Sequence, residues 1–137
     1  PIGQQVMKGA PTDIYALDAQ TGEVQWIFHG PTQKHKLQKG DDNIVAMGQR
    51  ASQNVRGTTL PNPWSAPTID SSGTVFIGSE EGPFFSLRDE NGDGVLEGGN
   101  EVSTYDAEAC FAGSSSPAIG RQMMAIASID ALYVFKR

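Results

Sequence analysis

The stretch "DIYALDAQTGEVQWIF", residues 13–28, decides the fold of this 137-residue chain. Tyr15 and Leu17 stand at alternate positions and so share one face of a β-strand, and the pair Thr21-Gly22 that follows makes a tight turn. On the returning strand Trp26 supplies a large apolar surface. The sequence therefore predicts a β-hairpin whose strands are residues 14–17 and 24–28.

Two later segments repeat this order of strands and turns. The segment "WSAPTIDSSGTVFIGSEEGPFFSLRD" predicts a strand that contains 66–69 and further strands at 75–78 and 84–87. The segment "SSSPAIGRQMMAIASIDALYVFKR" predicts strands at 124–127 and 132–135. Because Gly, Pro, Ser and Asp interrupt the chain at short intervals, the repeats favour an all-β fold.

The motif of residues 14–26, with Tyr-Ala-Leu-Asp before Thr-Gly-Glu and Trp26, resembles the PQQ-like (pyrroloquinoline-quinone-like) repeat "YALDAxTGExxW" of quinoprotein-type β-propellers. The resemblance is strongest over residues 11–26. It implies blades of four-stranded antiparallel sheet. One domain of residues 1–137 would then hold a partial blade (6–28), a long insertion (29–63), a full blade (64–106) and a partial blade (112–137).

About three blades, with roughly ten strands, are fewer than the four or more of a closed propeller. The ring is therefore expected to be incomplete, which leaves the strand edges 6–8 and 133–137 unpaired within it. Such edges pair with further chain, are covered by the insertion 29–63, or are completed by a partner protein.

Residues 89–97, "DENGDGVLE", form a candidate calcium loop between two predicted strands. Oxygen ligands fall at alternate positions, and Gly94 permits the sharp bend of such a loop. The predicted ligands are Asp89, Asn91, Asp93, the backbone carbonyl of Val95, and Glu97. The loop resembles the D-x-D/N-x-D-G-x-x-D/E calcium hairpins of other propellers, whereas the alternative is a solvated Asn-Gly/Asp-Gly turn without metal.

Asn100 stands where the loop of an EF-hand has its bidentate Glu, so calcium affinity in the weak class of about 10⁻⁴ to 10⁻³ M is expected. The ion would hold the hairpin closed. Such a site fills only where calcium is plentiful, which favours an extracytoplasmic compartment or an organelle lumen such as the thylakoid lumen.

The single cysteine, Cys110, bears on catalysis. Quinone-dependent dehydrogenases that share this repeat stack PQQ over a vicinal Cys-Cys disulfide, which one cysteine cannot make. The resemblance therefore implies a non-catalytic member without PQQ, and a fragment of such a dehydrogenase is the alternative. Cys110, both tryptophans and the pair Met123-Met124 are expected in the core.

Charge and hydropathy limit the partners. A net charge of −6 argues against a nucleic-acid surface, and no apolar run reaches the roughly 18 residues of a membrane span.

The expected function is binding or assembly, as a peripheral subunit that contacts protein subunits of a larger complex. The C-terminal "SPAI" and "LYVF" also resemble sequences of photosynthetic protists, which implies, as a second version, a lumenal-side peripheral subunit of a photosynthetic membrane complex.

Overall fold

The computed structural model describes residues 11–33, 52, 63–111, 115–129 and 131–136. These residues carry ten strands in three sheets, which confirms the predicted all-β class. The strands are β1 (Asp13–Leu17), β2 (Val24–His29), β3 (Thr68–Ile69), β4 (Val75–Gly78), β5 (Pro83–Leu87), β6 (Val95–Leu96), β7 (Val102–Asp106), β8 (Ala118–Ile119), β9 (Met123–Ala127) and β10 (Leu132–Lys136). Sheet A has the order β1-β2-β6, sheet B the order β3-β4-β5-β7, and sheet C the order β8-β9-β10.

The β1-β2 hairpin forms as the turn residues predict. Asp18 Oδ1 accepts hydrogen bonds from the backbone N–H of Thr21 (2.7 Å) and of Gln20 (2.9 Å). These bonds favour the ionised carboxylate and lower the pKa of Asp18 below its usual value, and the bond from Thr21 has the largest effect. Gly22 has a φ of +76°, a left-handed conformation that glycine adopts without strain.

Sheet A meets sheet B in a dry apolar layer. The buried members of this layer come from four strands and are Phe28, Val75, Ile77, Phe85, Leu87 and Leu96. The rings of Phe28 and Phe85 lie 5.1 Å apart between centroids. Trp26 and Trp64 pack against the layer as half-buried side chains, as their predicted core role requires.

The opposite face of sheet B packs against sheet C. The buried residues of this second apolar layer are Phe84, Phe111 and Ile126. The ring of Phe84 stacks on that of Phe135 with 5.6 Å between the ring centroids. Cys110 is fully buried beside Phe111, which confirms its predicted place in the core. Sheet B is therefore the middle layer of a three-layer stack in the order A, B, C.

A buried polar contact fastens the chain after β2 to sheet B. Glu80, in the turn between β4 and β5, is 1% exposed, and its Oε2 accepts a hydrogen bond of 2.6 Å from Gln33 Nε2. Its backbone N–H donates to the Pro63 carbonyl at 3.0 Å. Gln33 and Pro63, near the two ends of the predicted insertion 29–63, thus both contact this turn. Most of that insertion and the predicted edge 6–8 lie outside the described residues.

Two details differ from the sequence-based expectation. Strand β3 begins at Thr68 rather than near Ala66, because the Ala66 N–H donates to the Ser115 carbonyl (3.3 Å) instead of to β4. Met124 is half-buried in the layer between sheets B and C, but Met123 is 52% exposed. Since adjacent residues of a strand face opposite sides of the sheet, the two methionines cannot both lie in the core.

Pairing is antiparallel throughout the described strands with one exception. Strand β6 pairs in parallel with β2, so that Val95 lies opposite Ile27 and Leu96 opposite Phe28. The third strand of sheet A therefore comes from the candidate calcium loop. Within the described residues, no helix has the length and apolar character that crossing a membrane requires.

The close contact of sheets B and C generates a prediction at Gly78. A Cβ added there would overlap the Cβ of Phe111, so Gly78→Ala is expected to lower the free energy of unfolding by about 1–3 kcal/mol. The matched control is Gly120→Ala, whose added Cβ would lie 3.5 Å from Met123 Cγ and should change stability by less than about 0.5 kcal/mol. Urea unfolding followed by tryptophan fluorescence measures both. Equal stability of the two variants would contradict the described packing.

Candidate calcium loop and exposed sheet faces

The loop between β5 and β7 is strongly acidic. Residues 88–101 contain five carboxylates and a single basic residue, Arg88. The Arg88 guanidinium pairs with Glu90 at 3.5 Å on the surface. The remaining carboxylates are those of Asp89, Asp93, Glu97 and Glu101. This charge density is typical of a loop that attracts cations.

Asp89, the first predicted ligand, turns its side chain back over the loop. Its Oδ1 accepts a hydrogen bond from the Gly92 N–H (2.6 Å), and its Oδ2 accepts one from the Gly94 N–H (3.2 Å). Both glycines have positive φ, +75° and +82°, so the chain curls around the Asp89 carboxylate. The glycines of "NGDG" therefore have the bending role that the motif predicts.

The next two predicted ligands continue this curl. Asn91 Oδ1 accepts the Asp93 N–H at 2.7 Å, and Asp93 Oδ1 accepts the Val95 N–H at 2.9 Å. The Gly94 carbonyl accepts the Ile27 N–H (2.9 Å) toward β2, so the next carbonyl along this strand, that of Val95, points to the opposite edge. The Val95 N–H, which donates to Asp93 Oδ1, points to this edge as well. The Val95 carbonyl therefore faces the side on which the Asp93 side chain lies.

The loop has the oxygen donors that Ca²⁺ prefers, but it does not gather all of them. Among the described residues, no three His, Cys, Asp or Glu side chains stand close enough together to hold a metal ion, and Asp89, Asp93 and Glu97 are therefore not assembled. Asn91 Nδ2 donates instead to Asp93 Oδ2 at 3.0 Å, and Glu97 is exposed. Calcium binding would require the loop to close further around the ion.

Glu101 closes the loop and was not among the predicted site residues. Its Oε1 accepts the backbone N–H groups of Glu90 and Asn91, both at 3.3 Å. The register of β5 and β7, in which Leu87 faces Val102, brings Glu101 to the start of the loop. Only the strand register reveals this role, because Glu101 lies outside the spacing of the calcium motif.

Leu96 anchors the loop in the core. It is 3% exposed, and it lies in the apolar layer between sheets A and B together with Phe28 and Leu87. A Cβ at Gly94 would come within 3.3 Å of the Gln25 carbonyl, so the loop backbone lies close against β2. The loop is therefore part of the A–B contact and not a free turn.

The two outer layers of the stack end in exposed apolar faces. Ile14 and Phe28 point from sheet A into the core, and Tyr15 and Leu17, which alternate with Ile14 along β1, point outward. Val24 pairs with Leu17 beyond a register shift of the hairpin and shares its face, and these three exposed residues are here called end face A. Sheet C has a corresponding end face C, formed by Met123, Leu132 and Val134. Each of these six side chains is at least half exposed.

No protein-family model, no curated protein and no solved structure matches this chain.

Proposed function

We propose that this chain is a non-catalytic assembly module of the PQQ-like β-propeller type, and that it acts as a peripheral subunit of a larger protein complex. The observation that carries the proposal is the pair of end faces. Single exposed apolar residues are ordinary on a protein surface, but clusters rimmed by polar residues are typical of interaction sites. Here such a cluster stands at each end of the sheet stack.

The interior of the stack indicates what kind of partner suits these faces. Sheet B has aromatic and aliphatic side chains on both faces, and sheets A and C cover them. End face A bears bulky side chains, whereas the centre of sheet C presents the small residues Ala118 and Ala125, which lie opposite one another. The small residues make the centre of sheet C flat, and a flat apolar face packs well against one with bulky side chains such as end face A. Sheets of a partner subunit could therefore pack on both ends of the stack. The net charge of −6 disfavours nucleic acid as that partner.

The calcium loop has a structural role in this proposal. Ca²⁺ held by Asp89, Asn91, Asp93, the Val95 carbonyl and Glu97 would offset the repulsion among the loop carboxylates. Because Leu96 follows the bend directly, an ion in the loop stabilises the A–B contact. The weak calcium affinity expected of this loop favours a calcium-rich compartment, either extracytoplasmic or within an organelle lumen.

Photo-crosslinking tests the assembly role. A photoreactive phenylalanine analogue is placed at Tyr15 on end face A, at Leu132 on end face C, and at Thr104 as an exposed control on β7. We expect irradiation in an extract of the source cells to give discrete adducts from the two end-face positions and none from Thr104. The same adducts from all three positions, or none from the end faces, would contradict the proposal.

Thermal melts test the calcium role. If calcium fills the loop, the free energy of unfolding rises by about 2.7 kcal/mol when free calcium is a hundredfold above the dissociation constant, and by about 0.4–1.4 kcal/mol at about 1 mM free calcium for the affinity expected here. The melting temperature of the wild-type protein should therefore be higher in millimolar CaCl₂ than in EGTA, and Asp93→Ala should remove the difference. Glu90→Gln is the matched control, because Glu90 lies in the same loop but outside the motif and should keep the calcium effect. Identical wild-type melts in the two buffers would show that the loop is only a turn.

A further inference from the structure

An apolar groove opens between sheets B and C, at the ends of β3 and β8. It has a volume of about 540 Å³. Most of its lining is apolar: Ile69, Phe76, Ile119, Met123, Met124 and Phe135. Phe76, Met124 and Phe135 are half-buried in the layer between the two sheets and form the floor, whereas Ile69, Ile119 and Met123 are exposed at the rim. Pockets for small molecules have this size and composition.

The groove also collects positive charge. The described part of the chain has three basic side chains, and Arg88 pairs with Glu90. The other two, Arg121 and Lys136, both line the groove, and neither makes an ion pair with a described residue. Of the three Lys and Arg side chains that the structure describes, the two that make no ion pair with another described residue thus lie at one apolar cavity.

One acidic residue, Asp70, also lines the groove. Asp70 Oδ1 accepts hydrogen bonds from the Ser72 N–H (2.9 Å), the Ser72 hydroxyl (2.6 Å) and the Thr74 N–H (3.1 Å). These bonds hold the carboxylate on the turn that follows β3. The groove therefore combines an apolar floor with two basic groups and one carboxylate, so that basic groups outnumber acidic ones in its lining.

We propose that this groove binds a small amphiphilic carboxylate. The apolar body lies on Phe76, Met124 and Phe135, and the carboxylate lies between Arg121 and Lys136. The side chains of Met123 and Met124 are unbranched and polarisable, so they can adapt to ligands of different shape. This binding site lies apart from end face A and from the calcium loop, and it shares only the rim residue Met123 with end face C.

Three ligands with one chain length and different head groups separate the charge from the apolar contribution. Isothermal titration of the full chain gives the three affinities, with decanoate and decylammonium each kept below its micelle concentration and decanol below its solubility limit. Because each surface ion pair contributes only a modest energy, we expect decanoate to bind one per chain and roughly tenfold more tightly than decanol. Decylammonium should bind more weakly than both.

Substitutions assign the charge effect to the groove. Arg121→Gln and Lys136→Gln should each weaken decanoate binding roughly threefold and leave decanol binding unchanged. Arg88→Gln is the control that removes a basic group outside the groove and should bind decanoate like the wild type. Circular dichroism and melting temperature establish that each variant is folded, and the three-ligand comparison on the wild-type chain stands even if one variant is not.

Several results would overturn the proposal. These are the absence of saturable decanoate binding, equal affinities for decanoate and decanol, or equal weakening by all three Arg and Lys variants. A stoichiometry of one decanoate per two chains, with a dimer in analytical ultracentrifugation, would instead make the groove an interface between copies of the chain.

Discussion

The pairing of β6 with β2, with Leu96 buried behind it, is the contact on which the other features of the structure depend. It gives sheet A its third strand and fills the apolar layer between sheets A and B. It also fixes one end of the acidic loop, so that the curl around Asp89 starts from a defined place. Without this contact the loop would be an exposed acidic turn, and one side of sheet B would lose part of its cover.

Strand alternation links this core to the candidate binding surfaces. The residues that point inward from sheets A and C bury sheet B, so the residues between them have to point outward. On sheet A this leaves Tyr15 and Leu17 exposed, and on sheet C it leaves Leu132 and Val134 exposed. The end faces thus follow from the same strand alternation that builds the core, whereas the groove lies between sheets B and C at the ends of β3 and β8.

Much of the fold is local and was predictable. The alternating residues and the Thr21-Gly22 turn indicate the first hairpin, and similar reasoning places β3, β4, β5, β9 and β10 within about two residues of their observed ends. The parallel pairing of Leu96 and the loop-closing role of Glu101 depend on contacts between distant segments, which no short pattern reports. The exposure of Met123 likewise depends on which face of β9 the neighbouring sheet covers. The calcium ligands follow from spacing alone, and their assembly stays a prediction.

Hydrogen exchange at the Ile27 amide tests the central contact most directly. This N–H donates to the Gly94 carbonyl at 2.9 Å, so its exchange should be slowed well below that of an exposed amide. Leu96→Ala, expected to cost about 2–5 kcal/mol, should remove this protection, whereas Leu132→Ala at the exposed end face C should preserve it. An Ile27 amide that exchanges as fast as an exposed one in the wild-type protein, or that keeps its protection in Leu96→Ala, would contradict the account.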